Sequence, residues 1–289
     1  MRRFQAGIAM SAATLLLAAS SVQAHHEEFG VITDVISHED TQEIYVWAPM
    51  ADEDDDRPFP VVYAIAGSGG YGSDWDVIGS ALAARGVVVF ATDYHQEDMG
   101  IGRFDRIIKD VECGYRYVRE VAAAYGGDLE QPVAGLGHSL GAELALGGAL
   151  DDVSLVPGGT YDECFAGVER ADISVGLGGC YYEYEGQTYT TDSKGYGTGG
   201  GDVSMVFIVG ADDETCEPWQ SAEAAREYAE AGFDTTYIEI PGTSHIELIG
   251  HDIIDGEFVT LPDEEAVLTV TYAVLEAISS FPGAQRRGS

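Results

Sequence analysis

Three residues of the types that cooperate in nucleophilic catalysis are spread along the chain: Ser139, Asp213 and His245. Ser139 lies in the pentapeptide GHSLG, which matches the pattern G-x-S-x-G. A serine hydroxyl is a poor nucleophile at neutral pH, so it needs a histidine base, and that histidine needs an acid to orient it. The three residues together are a complete set for attack on a carbonyl carbon.

The segments around Ser139 decide how much weight its motif carries, because a chain with 37 glycines matches such a pattern easily by chance. The apolar segment 132–137 predicts a buried strand, and 140–150 predicts a helix. A sharp strand–turn–helix connection needs small residues two positions before and after the serine, and Gly137 and Gly141 meet that need. The helix N-terminus would also direct backbone N–H groups at the serine, which favours an oxyanion there.

The two possible partners of the serine also follow predicted strands. Asp213 comes three residues after the apolar segment 203–210, and His245 follows 235–241 in the sequence GTSH. Residues beyond the carboxyl ends of parallel strands converge on one crevice, so we expect these side chains to meet. Asp212 is an alternative acid.

Strands and helices alternate along most of the chain. From residue 60 onward this alternation indicates a mostly parallel sheet that helices cover on both faces, within one α/β domain. The predicted strands are 29–36, 43–48, 60–66, 86–93, 132–137, 171–178, 203–210 and 235–241, and the predicted helices are 74–85, 104–125, 140–150, 218–231 and 263–281.

These features together resemble the α/β-hydrolase superfamily over roughly residues 29–281. The resemblance rests on GHSLG, on the strand followed by AGSGG at 66–70, on IVGADD and on GTSH. It implies an eight-stranded α/β-hydrolase fold without a large cap domain, with Ser139 as nucleophile, His245 as general base and Asp213 as its acid.

The resemblance also implies an oxyanion hole made by the backbone N–H groups of Leu140 and Ser68. A glycine-rich loop such as AGSGG lets backbone N–H groups approach a substrate oxygen closely. Many relatives have a histidine where this chain has Ala66, so Gly69 stands as an alternative donor to Ser68.

Within the superfamily the chain is most similar to small secreted esterases: dienelactone-hydrolase-like proteins, chlorophyllases and bacterial polyester hydrolases. The resemblance implies hydrolysis of small or polymeric carboxylic esters through an acyl-enzyme, without a metal or an organic cofactor. Two alternatives are a peptidase on the same fold and a non-catalytic binding protein. A propeller or cap domain would favour the peptidase, and the sequence predicts neither.

Aromatic residues on loops around the predicted crevice are candidates for substrate binding: Tyr71, Trp75, Tyr181, Tyr182 and Trp219. Aromatic rims bind apolar or aromatic acyl groups. The loop after the sixth strand is too short for a helical lid, so we expect an open crevice suited to short-chain or bulky esters.

The four cysteines are even in number, which in an exported chain suggests two disulfides. Four cysteines allow three connectivities. In the α/β-hydrolase fold the sixth and seventh strands are neighbours, so the resemblance favours a bond between Cys180 and Cys216. Cys113 and Cys164 would then form the second bond.

The N-terminal segment 1–24 is typical of a cleaved secretory signal. Arg2 and Arg3 precede an apolar run, and small residues at Val22 and Ala24 form a cleavage site. We therefore expect a secreted or periplasmic protein whose single catalytic domain is 25–289, with no stable membrane insertion after the signal is removed.

The formal net charge of −36 excludes nucleic acid and anionic membranes as partners, because such a surface repels them. The chain has only two lysines, Lys109 and Lys194, and this acid-rich, lysine-poor composition is typical of halophilic secreted proteins. The acidic run 52–56 lacks the spaced ligands and turn glycine of a calcium loop, so we predict no metal site. The sequence makes no prediction of oligomeric state.

We predict that salt stabilises this protein strongly. The Debye length falls from about 30 Å at about 0.01 M salt to about 3 Å at 1 M, so repulsion among the carboxylates shrinks to near neighbours. The melting temperature at about pH 8 should therefore rise steeply from about 0.01 M to about 2 M NaCl. A flat or falling melting temperature would mean that the acidic surface serves solubility alone.

Overall fold

An eight-stranded sheet forms the centre of the computed structural model, which describes residues 29–37, 43–50, 57–94, 104–150, 170–181, 203–255, 257–261 and 265–281. The strand order is β1-β2-β4-β3-β5-β6-β7-β8. β2 pairs antiparallel with β1 and β4, and all other pairs are parallel. The strands are β1 Gly30–Ser37, β2 Glu43–Met50, β3 Val61–Ile65, β4 Val88–Thr92, β5 Val133–His138, β6 Ile173–Leu177, β7 Ser204–Gly210 and β8 Asp234–Ile240.

Within the described residues, five α-helices cover the two faces of this sheet, as the alternating sequence pattern predicts. The helices are α1 Asp76–Ala83, α2 Phe104–Val121, α3 Leu140–Ala149, α4 Pro218–Glu230 and α5 Glu265–Ser280, and short 3₁₀ helices extend α1 at its start and α2 at its end. Within the described ranges, none of the helices combines the length and apolarity needed to cross a membrane.

The central strands are buried on both faces, and their alternating side chains enter two different cores. In β3, Val62 and Ala64 pack into the core under α1 and α5. Their neighbours Tyr63 and Ile65 point to the opposite face, where α2 and α3 pack. This period-two alternation explains why β3 is apolar without interruption, which is typical of a parallel strand covered on both sides.

A two-stranded hairpin follows the main sheet and was not predicted from the sequence. It consists of β9 (His251–Ile254) and β10 (Glu257–Thr260), which pair antiparallel. Asp255 has a φ of 55° at the turn, in the left-handed region. The Asp255-Gly256 dipeptide is a strong hairpin signal that the sequence analysis overlooked.

The predicted Cys180–Cys216 disulfide is present, with the two Cα atoms 4.8 Å apart. It joins the segment after β6 to the turn after β7, which are neighbouring strands. Cys113 is also disulfide-bonded, whereas Cys164, its predicted partner, lies outside the described residues. The predicted signal segment, the acidic run and Tyr182 also lie outside them.

We predict that loss of the Cys180–Cys216 bond destabilises the fold, because the bond closes a loop whose ends are 36 residues apart. Chain-entropy arguments give roughly 4 kcal/mol for a loop of this size, or roughly 10 °C in melting temperature. The test compares melting curves of the wild type and the Cys180→Ala/Cys216→Ala double variant. An unchanged melting temperature in the double variant would contradict this expectation.

The bond at Cys113 needs its own control. Reductant acts on every disulfide, so the shift that it still causes in the double variant belongs to the Cys113 bond, and the remainder belongs to Cys180–Cys216.

Candidate active site

Ser139 occupies a strained backbone position between β5 and α3. Its φ of 55° and ψ of −122° are unusual for a residue with a side chain. A Cβ atom at Gly137 would collide with the backbone of Gly141, and one at Gly141 would collide with the carbonyl oxygens of Ile65 and Ala66. The two glycines therefore permit the tight turn, as the motif predicts.

A hydrogen bond to strand β6 also holds the turn, and the turn borders a cavity. The backbone N–H of Ser139 donates to the carbonyl oxygen of Leu177 at the end of β6, at 2.9 Å. Ser139 is half-buried, and it lines a cavity.

His245 and Asp213 are hydrogen-bonded although they are 32 residues apart in the sequence. His245 Nδ1 donates to Asp213 Oδ2 at 2.7 Å. The other carboxylate oxygen, Oδ1, accepts from the backbone N–H groups of Thr215 and Cys216 at 2.9 and 2.8 Å. Because Nδ1 is engaged, Nε2 is the ring nitrogen of His245 that is left for a second partner.

The partner of His245 is Asp213 and not Asp212, by burial as well as by contact. The Asp213 side chain is completely buried, whereas Asp212 is exposed. Gly178, with a φ of 53°, lies directly over the pair, and a Cβ there would be 2.8 Å from Asp213 Oδ2 and 3.1 Å from His245 Nδ1. The backbone at Gly178 thus shields the hydrogen bond from water.

His138, the residue before Ser139, connects the serine turn to the histidine loop. Its Nε2 donates to the backbone carbonyl oxygen of His245 at 2.9 Å, and the two rings are 4.5 Å apart. Burial, and secondarily the charge of His245, lowers the pKa of His138 to about 3. His138 is therefore neutral at ordinary pH.

Tyr94 fixes the glycine-rich loop after β3, a role that the sequence did not reveal. Its hydroxyl lies 3.0 Å from the carbonyl oxygen of Ala66 and 2.8 Å from that of Gly67. The Gly67 carbonyl also accepts from the N–H of Gly70 at 3.0 Å. In a trans peptide N–H and C=O point in opposite directions, so the N–H of Ser68 points away from Tyr94.

The loop backbone also lies directly against the serine. A Cβ at Gly67 would be 2.9 Å from Cβ of Ser139, so only glycine allows this approach. Further along the loop, Asp93 and Asp74 accept hydrogen bonds from the N–H groups of Gly72 and Tyr71 at 2.6 and 2.8 Å.

The cavity has a volume of about 500 Å³ and is lined by both Ser139 and His245. Among the described residues, no cluster of histidine, cysteine and acidic side chains is arranged to hold a metal ion. The lining residues are Ala66, Gly67, Ser68, Gly69, Gly70, Asp74, Trp75, His138, Ser139, Leu140, Glu143, Cys180, Thr215, His245, Ile246, Ile249 and Phe258.

The four described aromatic candidates for substrate binding have different positions. Trp75 lines the cavity from a buried site. Tyr71 and Trp219 are exposed and lie outside the cavity lining, while Tyr181 is buried against the Phe207 ring at 5.3 Å. The lining instead includes Glu143, Ile246, Ile249 and Phe258, none of which the sequence analysis singled out.

No protein-family model matches this chain, and no curated protein matches it. The chain is similar in structure to esterase 2 of Thermogutta terrifontis. For the form phosphoramylated by tabun, the TM-score is 0.66 at 18% identity, over 88% of this chain and 96% of that one. For the propionate-bound form it is 0.65 at 17%, over 88% and 95%. For the form phosphorylated by paraoxon it is 0.65 at 18%, over 87% and 95%.

These likenesses, together with the strand order, show that the chain has the α/β-hydrolase fold. The predicted fold class is therefore confirmed.

We predict that His138 makes the folded protein sensitive to acid. The folded state holds the pKa of His138 at about 3, against 6.5 for a free side chain, so below about pH 6.5 only the unfolded state takes up this proton. Stability is then lost as pH falls, by up to about 1.4 kcal/mol per pH unit from this residue.

The matched variant is His138→Gln, whose amide can donate to the same carbonyl and does not titrate. Urea unfolding at about pH 6 and about pH 5 should show that the wild type loses about 1 kcal/mol more than the variant. Equal losses would show that His138 is protonated in the folded state.

Proposed function

We propose that this protein is a serine hydrolase that cleaves carboxylic esters through an acyl-enzyme. The observation that carries the proposal is that the strained Ser139 turn and the Asp213-bound His245 line the same cavity. The similarity to an esterase that can be phosphorylated by paraoxon supports it, because electrophilic phosphorus reagents react with activated nucleophiles.

In the proposed mechanism, Ser139 Oγ attacks the ester carbonyl carbon while Nε2 of His245 takes up the hydroxyl proton. Asp213 stabilises the resulting imidazolium through Nδ1. The tetrahedral intermediate then collapses, and the proton passes from Nε2 to the departing alkoxide, which leaves as the alcohol. Water repeats the sequence on the acyl-enzyme and releases the acid.

We assign the oxyanion hole to the backbone N–H groups of Ser68 and Leu140. The Ser68 N–H is turned away from Tyr94, which lies against the carbonyl of the same peptide group. The Leu140 N–H is at the first residue of α3, where the helix leaves its N–H groups without intrahelical partners. The closeness of Gly67 to Ser139 favours Ser68 over Gly69 as the second donor.

The proposed substrates are esters with a small or partly apolar acyl group. The cavity of about 500 Å³ lies within the range that small-molecule sites occupy. Propionate and butyrate bind the structurally similar esterase 2, which supports short acyl chains.

We propose that the protein acts outside the cytoplasm, because its Cys180–Cys216 disulfide persists best in an oxidising compartment.

Polymeric esters are a second candidate, in keeping with the proposed relationship to the secreted-esterase branch. Phe258 lines the cavity and is still 54% exposed, so it connects the cavity to the surface. Ile253 and Ile254 on the same hairpin are exposed apolar side chains as well. Ile253 is the cross-strand neighbour of Phe258, and an exposed apolar pair beside the cavity suits an extended ester chain better than a small soluble ester.

We predict that Ser139→Ala lowers turnover of p-nitrophenyl butyrate by about 10⁴-fold or more, as loss of a triad nucleophile does. In the same experiment, paraoxon should add one diethylphosphoryl group to the wild type, detected by mass spectrometry, and none to the variant. Labelling of the variant, or undiminished turnover, would contradict the assignment of the nucleophile. A p-nitroanilide of the same acid tests the peptidase alternative.

The acid is tested with an adjacent pair of variants. Asp213→Asn should lower kcat by about 10³–10⁴-fold because the amide cannot stabilise the imidazolium. Asp212→Asn is the matched control, since its side chain is exposed and should leave kcat within about twofold. A larger loss of kcat in Asp212→Asn than in Asp213→Asn would assign the role of the acid to Asp212.

A further inference from the structure

Glu143 is a buried carboxyl group in the cavity that the proposed mechanism does not use. It lies on α3, four residues after Ser139, and both residues line the cavity. Its side chain lines the cavity and the residue is only 6% exposed.

The surroundings of Glu143 offer its carboxyl group no obvious reason to be there. Every other residue of α3 (LGAELALGGA) is apolar or glycine, and all of them are buried. No hydrogen bond or ion pair of Glu143 is found among the described residues. A leucine or alanine would satisfy packing at this position without the cost of burying a polar group.

Its burial favours the protonated form of this carboxyl group. Burial raises the pKa of Glu143 well above its usual value, and the described residues place no salt-bridge partner beside it. A neutral carboxylic acid has one O–H donor as well as acceptor oxygens. Since Glu143 borders the cavity, a ligand oxygen that enters the cavity can accept a hydrogen bond from this O–H group.

We propose that Glu143 is a specificity-determining residue whose buried, cavity-lining carboxyl group hydrogen-bonds to a second oxygen of the ester substrate. The preferred substrates would then be esters with a hydroxyl, ether or keto oxygen a few atoms from the scissile carbonyl, in preference to plain alkyl esters. This inference rests on the proposed ester hydrolysis and adds the substrate class.

The test uses pairs of esters in which one oxygen replaces one methylene group. p-Nitrophenyl methoxyacetate and p-nitrophenyl butyrate differ in this way on the acyl side. 2-Methoxyethyl butyrate and butyl butyrate differ in the same way on the alcohol side. The measured quantity is the ratio of kcat/KM within each pair, because comparing that ratio between variants cancels the intrinsic reactivity of the esters.

Glu143→Leu should lower the oxygen-to-methylene ratio by about tenfold or more in one of the two pairs, and the pair affected tells which side of the ester Glu143 contacts. Glu143→Gln retains an N–H donor and should keep the ratio within about threefold. Thermal melting of each variant confirms that it is folded.

Two results would separate the failure of this inference from the failure of the proposed function. If Glu143→Leu hydrolyses the esters of both pairs with unchanged kcat/KM ratios, the proposed role of Glu143 is overturned. The proposed ester hydrolysis is then unaffected. Failure of the wild type to hydrolyse any of the four esters would overturn the proposed function itself.

Discussion

The backbone at Ser139 adopts a conformation that only the surrounding sheet can impose. A residue with a side chain at a φ of 55° and a ψ of −122° costs of order 1–3 kcal/mol, and it persists only where its neighbours over-determine it. Here β3, β5 and β6 hold the turn by direct backbone contact, through Gly141 on one side and Leu177 on the other. The close approach of these strands also brings Gly67 against the serine, so the same constraint shapes the proposed oxyanion loop.

The charges of the site follow from burial around this turn. Asp213 is buried completely, and two backbone N–H groups together with His245 satisfy its oxygens. Burial, and secondarily the charge of His245 with its ring 4.5 Å away, disfavours a positive charge on His138. His138 remains neutral and acts as a hydrogen-bond donor, so the proton of the proposed reaction is left to His245.

The cavity combines this charged centre with mostly apolar walls and one further polar group. Trp75, Ile249 and Phe258 supply apolar surface, whereas Glu143 places a buried carboxyl group among them. The two acids of the site differ in their contacts: Asp213 is hydrogen-bonded to His245, and burial raises the pKa of Glu143.

The sequence by itself determined the order of the elements and pointed to the residues that we propose are reactive. All eight sheet strands and five helices lie where apolar periodicity predicts them, because periods of 2.0 and 3.6 are local properties of the chain. The GHSLG turn is equally local. The Asp255-Gly256 dipeptide is likewise a local signal for the hairpin of β9 and β10.

Only the tertiary structure decided which of several similar residues share the site. Asp213 rather than Asp212 contacts His245 because one lies inside the turn after β7 and the other faces solvent. Tyr94 reaches the Gly67 carbonyl across 27 residues, and His138 reaches the His245 carbonyl across 107. Contacts at such separations depend on the order of strands in the sheet and on the direction of each side chain, and neither leaves a periodic signal in the sequence.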